Sequence, residues 1–182
     1  MLTLDELVRF FDERITASAF RLETLPEYSV GSDGNDFDRH KAGAPDPDWE
    51  RKNPWLEKLR AEKKAGFRRY RVRVLRTPLN DYLRFACEWG YALNSKAGEE
   101  INVLDLTERE LPAEVVDHDF WLLDDRYPIR MHYSESGEFV GGELMDNLGH
   151  YMKARDAALA AAEPFEQWWA RHPEEWRANR TV

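Results

Sequence analysis

Polar and apolar positions change period several times along the chain, and each change predicts an element. Leu4, Leu7, Val8, Phe11 and Ile15 recur at helical spacing. Thr3-Leu4-Asp5-Glu6 precedes them as a capping box, in which the Thr hydroxyl accepts from the Glu6 N–H and the Glu6 carboxylate reaches back. A helix from Leu4 to about Ile15 is predicted. AFRLETL then alternates, with Phe20, Leu22 and Thr24 on one side and Arg21, Glu23 and Leu25 on the other. That is a short strand, stopped by Pro26.

Residues 29–50 are rich in Gly, Ser, Asp and Pro and read as a long acidic surface loop, with a helical turn around Phe37–Lys41. Asn53-Pro54 predicts a helix start, with Asn as cap and Pro at its first position. Trp55, Leu56 and Leu59 form its buried stripe, and Gly66 suits its end. FRRYRVRVL then alternates: Tyr70, Val72 and Val74 share one face, and Arg69, Arg71 and Arg73 share the other. Thr77-Pro78 repeats the cap-then-proline signal ahead of a helix that ends near Gly98. INVLDL is the next strand. Phe67–Leu106 therefore reads as a parallel βαβ unit.

DFWLLDD, PIRMHY and EFVGGEL follow, separated by turn signals at Asp124–Pro128 and Glu135–Gly137. They predict an antiparallel meander. Residues 146–182 read as a C-terminal helical segment that Pro164 kinks or restarts. These elements predict one domain over 1–182. Its fold class is α+β, a central mixed sheet (βαβ unit plus antiparallel meander) flanked by helices. Trp55, Trp89 and Trp121 are expected in the core, and Trp49 is expected to be partly exposed.

Composition narrows the picture. The 42% of hydrophobic residues is enough for a packed core, and no run approaches a membrane span. MLTLDELVRFFDER carries acids where a signal peptide needs basic residues, and the single Cys87 cannot form an internal disulfide. A cytoplasmic protein is expected, with no membrane partner. The net charge of −9 argues against general nucleic-acid binding. Yet Arg51–Arg76 holds eleven Lys/Arg against Glu57 and Glu62. Such a segment can meet a phosphate, an acidic partner or the protein's own acidic surface.

Three guanidinium groups on one strand face are costly to bury unpaired. Arg69, Arg71 and Arg73 are thus the candidate binding residues. They face the acidic hairpin (Asp124, Asp125, Glu143) as internal ion pairs, or they line a groove for an anionic ligand. His118, Asp119, Asp124, Asp125 and His132 match no metal-ligand spacing, so no metal is expected. No Gly-rich phosphate loop occurs, and no cofactor is expected. Cys87 has no neighbouring His and reads as a structural thiol.

His118 and Asp125 hold the spacing of the His-x-Lys-x(4)-Asp motif, and Phe67–Leu144 resembles half of a phospholipase D-like domain. In that family the His attacks phosphorus, the Lys grips phosphate oxygens and the Asp orients the His. Were the chain such an enzyme, His118 and Asp125 would be its catalytic pair. Here the Lys position is Phe120, and Gly141-Gly142-Glu143-Leu144 stands where the family has Gly-Ser-x-Asn. The chain from about Leu7 to Ala162 also resembles an uncharacterised actinobacterial family, a domain of unknown function. That match rests on AFRLETL, NPWLE, RVRV, TPLNDYLRF and HDFWLLDDRYPIRMHY. Members often lie beside helix-turn-helix regulators. The resemblance implies a non-enzymatic regulatory or adaptor role with a protein partner, such as a helix-turn-helix regulator. A nucleic-acid or nucleotide binder using Arg51–Arg76 and a phosphodiester-cleaving enzyme using His118 are the alternatives.

Overall fold

A computed structural model describes residues 1–179. The capping box forms at the head of α1 (Leu4–Arg14): Glu6 N donates to Thr3 Oγ1, and Thr3 N donates to Glu6 Oε2. β1 (Ser18–Glu23) follows, then a 3-10 turn at Gly31–Asp33, α2 (Asp36–Lys41) and α3 (Trp49–Lys64). β2 (Arg68–Leu75) and β3 (Glu100–Asp105) flank a helical run of α4 (Asp81–Phe85), a π-helical turn (Ala86–Tyr91) and α5 (Ala92–Ala97). β4 (Phe120–Leu123), β5 (Tyr127–Tyr133) and β6 (Phe139–Leu144) precede α6 (Leu148–Ala161), the two-residue β7 (Glu163–Pro164) and α7 (Phe165–Arg171).

The seven strands form one mixed sheet in the order β6-β5-β4-β1-β2-β3-β7. β1, β2 and β3 run parallel, and β4, β5 and β6 form the antiparallel meander. The βαβ unit and the meander thus share the sheet, with β1 joining them. The fold is α+β, with helices flanking a mixed sheet.

The strand alternation gives the sheet two unlike faces. Phe20, Leu22, Tyr70, Val72, Leu104, Phe120 and Leu122 make one, buried under α6 through Tyr151, Ala154 and Ala158. Two alanines one turn apart bring that helix close to the rings. Each fully buried Val, Leu or Phe there contributes roughly 1.5–3 kcal/mol. The opposite face carries Arg21 and Glu23 of β1 beside Arg69, Arg71 and Arg73 of β2. α1 covers its meander end through Leu7, with Ile15 just after the helix, and the π-helical turn covers its β3 end through Trp89 and Tyr91. Trp89 and Tyr91 are two residues apart yet both buried.

Several boundaries differ from the sequence reading. α3 starts at Trp49 because Asp48 caps it, accepting from Glu50 N and Arg51 N, so Pro54 lies inside the helix. The helix after β2 starts at Asp81, capped by Asn80, whose Oδ1 accepts from Leu83 N at 2.7 Å. The Thr77-Pro78 bond ahead of it is cis. Segment 29–50 carries α2, with Asp36 and His40 buried. In the C-terminal region the helix restarts after Pro164, with β7 pairing onto β3 between α6 and α7; residues 180–182 lie outside those described.

The β4–β5 turn pins the α1–β1 link. Asp124 and Asp125 both have positive φ, and Arg126 N donates to Leu123 O, giving a type I′ turn. The Asp124 carboxylate accepts from the N–H groups of Thr16 (2.9 Å), Ala17 (2.8 Å) and Ser18 (2.8 Å). Burial opposes its ionisation, but these donors outweigh that and hold its pKa below the usual value. Asp124→Ala is expected to cost about 1–2 kcal/mol in urea unfolding, because three N–H groups lose their acceptor and water replaces only part of it. The Asp124 contribution is present above the unfolded carboxyl pKa and is lost as pH falls through the lower folded value. The variant should therefore show a shallower loss of stability in acid.

Candidate functional site

Arg69, Arg71 and Arg73 are all buried, and their partners come from elements the sequence reading did not select. Arg69 donates from Nε and Nη2 to the two oxygens of Glu62 on α3, at 2.7 and 2.8 Å. Arg71 donates to Glu99 at 2.7 Å and to Glu23 at 3.0 Å. Arg73 donates to Leu25 O and, at 3.1 Å, to the Tyr28 hydroxyl, which in turn donates to Asp119. The acidic hairpin is not their counter-charge. Asp124 caps backbone, Asp125 pairs with Arg155, and Glu143 pairs with His132. β1 lies between β2 and the meander, so Glu23 reaches the guanidinium row first.

Register makes this row unusual. Arg21 sits directly opposite Arg71, and Glu23 opposite Arg73. Two like charges side by side repel, and Glu23 offsets them: it lies 3.0 Å from Arg71 and 3.3 Å from Arg21. Tyr91 adds a hydrogen bond to Glu23 at 2.9 Å. Burial raises the Glu23 pKa, but Arg71, Arg21 and Arg73 overcome that and hold it well below the usual carboxylate range. Burial also lowers Lys52 to about 8, against the pull of Asp33 and Glu99. It sits beside this network, donating to Asn94 at 2.9 Å, and Asn94 donates on to Glu99.

The charged face opens on a cleft of about 620 Å³ between α1, α3 and the sheet. Arg21, Arg69 and Arg71 reach it from the floor, and Lys58 reaches it from α3. Arg21 lies 5.2 Å from the Trp121 ring, and Arg69 lies 4.9 Å from Phe11 and 5.2 Å from Trp55. Rings against guanidinium faces hold the cations in place without neutralising them. Trp55 and Trp121 are half-buried because they line this cleft, whereas Trp89 is core. Leu4 and Val8, expected in the α1 stripe, are 59% and 52% exposed and line the cleft with Val30. Gly137 lies on its rim with φ +78, where a Cβ would fall 2.8 Å from Glu27 O. The close approach of the β5–β6 turn to the Glu27–Ser29 backbone requires a glycine there.

His118 lies on the other side of the sheet. It contacts Asp117 at 3.1 Å and the Tyr151 hydroxyl at 3.0 Å. Burial lowers its pKa against the opposing pull of Asp117. Asp125 is not its partner: the Asp125 carboxylate takes Arg155 at the far end of β4. Phe120, at the lysine position of the phospholipase D-like spacing, is fully buried against Phe20 and Tyr151. Cys87 is buried, and burial raises its thiol pKa.

His118, Asp119, Asp124, Asp125 and His132 do not converge, because each has a separate partner. A different set does: ligand atoms of Asp105, Glu108 and His172 lie within 4.8 Å of one another. These groups already have partners. Arg171 binds Glu108, Trp168 donates to Asp105, and His172 lies between Trp168 O and Glu108.

Glu23 is the site residue the sequence reading missed. Its strand parity with Arg21 was readable, but its pairing beside β2 depends on sheet order. Glu62 and Glu99 gave no signal, since a lone Glu near a charged strand is commonplace.

Fold and site together define an α+β protein whose mixed sheet buries an ionic lattice beneath an open cleft. Residues 5–170 match the family described as a domain of unknown function (DUF6879), and the chain belongs to that family. No curated protein matches the chain.

Proposed function

We propose that this chain is a non-enzymatic regulatory or adaptor protein that acts through protein contacts, with a transcription regulator as its partner. One observation carries the reading: large apolar side chains stand exposed where α1 meets the sheet edge. Leu4 and Val8 project from α1, and Val140 and Leu144, 59% and 51% exposed, from the edge strand β6. Leu2 bridges to Gly142, and Met1, 79% exposed, lies against Gly141, which joins the two elements into one corner. Exposed apolar groups beside a strand edge suit a protein partner. The residues that could carry chemistry are otherwise engaged: His118 with Tyr151, Asp125 with Arg155 and Cys87 in the core. No helix among the described residues is long and apolar enough to cross a membrane.

Co-purification of the tagged full chain from its native host tests this. The expected result is one stable partner protein, retained by wild type and lost from Val8→Glu/Val140→Lys. Recovery of no stable partner would sink the reading. So would hydrolysis of a chromogenic phosphodiester that disappears in His118→Ala.

A further inference from the structure

We propose that the cleft between α1, α3 and the sheet is a binding site for a small aromatic monocarboxylate, a ligand input that goes beyond the adaptor reading. Donor placement decides the head group. The floor holds Arg21, Arg69, Arg71 and, behind them, Arg73; their counter-charges are Glu23, Glu62, Glu99 and Asp119. Four cations face four carboxylates, so the lattice is neutral as a whole. Glu23, Glu99 and Asp119 lie off the cleft lining, however, while Glu62, with its side chain 16% exposed, flanks Arg69. Glu23 and Glu99 side chains are 6% and 1% exposed and do not line the cleft, whereas three of the guanidiniums do. A ligand in the cleft therefore meets the positive side of a buried ionic layer.

Two donors remain available for the head group. Arg21 spends Nη2 on the Tyr133 hydroxyl at 3.2 Å, and among the described residues nothing accepts from its Nη1. Lys58 has no carboxylate within 4.0 Å among the described residues, and its ammonium hangs 5.8 Å from both the Phe11 and Trp55 rings. Asp12 on the lining offsets Lys58 in net charge, so the head group is set by donors: one guanidinium edge and one ammonium can serve the two oxygens of a carboxylate. A di- or triphosphate would bring more charge than this neutral lattice answers.

The walls decide the rest of the ligand. Phe11, Tyr28, Trp55, Trp121, Tyr133 and Phe139 present six aromatic rings to the cleft. Its size falls within the range of small-molecule sites, which are mostly apolar with a few placed polar groups. The apolar exposure of Leu4, Val8 and Val30 at the lining then suits a ring system whose carboxylate points to Arg21 and Lys58.

The test titrates the full chain with 2-naphthoate and with 2-naphthalenemethanol, its uncharged counterpart, by calorimetry. Lys58→Gln and Val8→Asp are surface changes, and circular dichroism checks that both variants stay folded. The expected result is saturable one-to-one binding of 2-naphthoate. Binding should weaken about three- to tenfold in Lys58→Gln, and by at least as much in Val8→Asp and for the alcohol. The absence of saturable binding overturns the proposal. Equal affinity for the alcohol, or wild-type affinity in both variants, overturns it too. The readout needs no partner protein, so its failure is separate from failure of the adaptor reading.

Discussion

Glu23→Ala is expected to cost about 3–5 kcal/mol of folding stability, because removing one member of a buried ion network leaves the other charges without compensation. Glu23 is 5% exposed and offsets Arg71 and Arg21 together, while accepting from Tyr91. Its loss leaves two guanidiniums directly opposite each other on adjacent strands, with Glu99 to serve Arg71 alone. Glu23→Gln keeps the shape and an acceptor for Tyr91 but removes the charge, so it should fall between wild type and the alanine variant. The pH dependence follows from the sign of the pKa shift. The folded carboxyl is depressed below the unfolded value of about 4.3, so its contribution is fully present above that pH and declines as pH falls below it. Urea melts at pH 7 and pH 4 check both statements. A loss under about 1 kcal/mol in Glu23→Ala would mean that water or another carboxylate reaches the row.

Phe120→Lys, which would restore the lysine of the phospholipase D-like spacing, is expected to unfold the domain. Phe120 has no exposure and packs at 5.6 Å from Phe20 and 4.9 Å from Tyr151, under α6. Truncation alone, Phe120→Ala, should cost about 3–5 kcal/mol from lost transfer energy and the cavity left behind. The lysine adds the cost of an ammonium held in an apolar layer, which amounts to several kcal/mol after relaxation. Thermal melts followed by circular dichroism distinguish the outcomes. A cooperative transition near the wild-type temperature would show that the face under α6 admits a charge. The position would then be open to phosphate-binding chemistry.

Local signals in the sequence were dependable where neighbours in the chain supply the physics. Thr3 and Glu6 close their own capping box, and Gly66 at φ +83 ends α3 just beyond its cap. Asp124-Asp125 make the turn their region announces, and the alternation of RVRV sorts Arg69, Arg71 and Arg73 from Tyr70, Val72 and Val74. Competing local signals were harder to rank. Both Asn53-Pro54 and Asp48 offer a helix start, and only the packed chain shows that Asp48 takes it.

The α+β class, the parallel unit, the meander and the row of guanidiniums were thus all legible from periodicity, because alternation assigns each strand residue to a face. What periodicity does not assign is the neighbour across the sheet. β1 enters between β4 and β2, and that order selects Glu23 as the counter-charge while Asp124, Asp125 and Glu143 remain elsewhere. The apolar stripe of α1 likewise names Leu4 and Val8 without saying how far the core extends beneath them. The helix covers the meander end through Leu7, with Ile15 just beyond it, and its apolar residues Leu4, Val8 and Phe11 are left beside a cleft. Ion-pair energies and cavities depend on distances of a few ångströms between residues far apart in the chain. The sequence therefore determined which side chains share a face, and only the tertiary structure decided which of them meet.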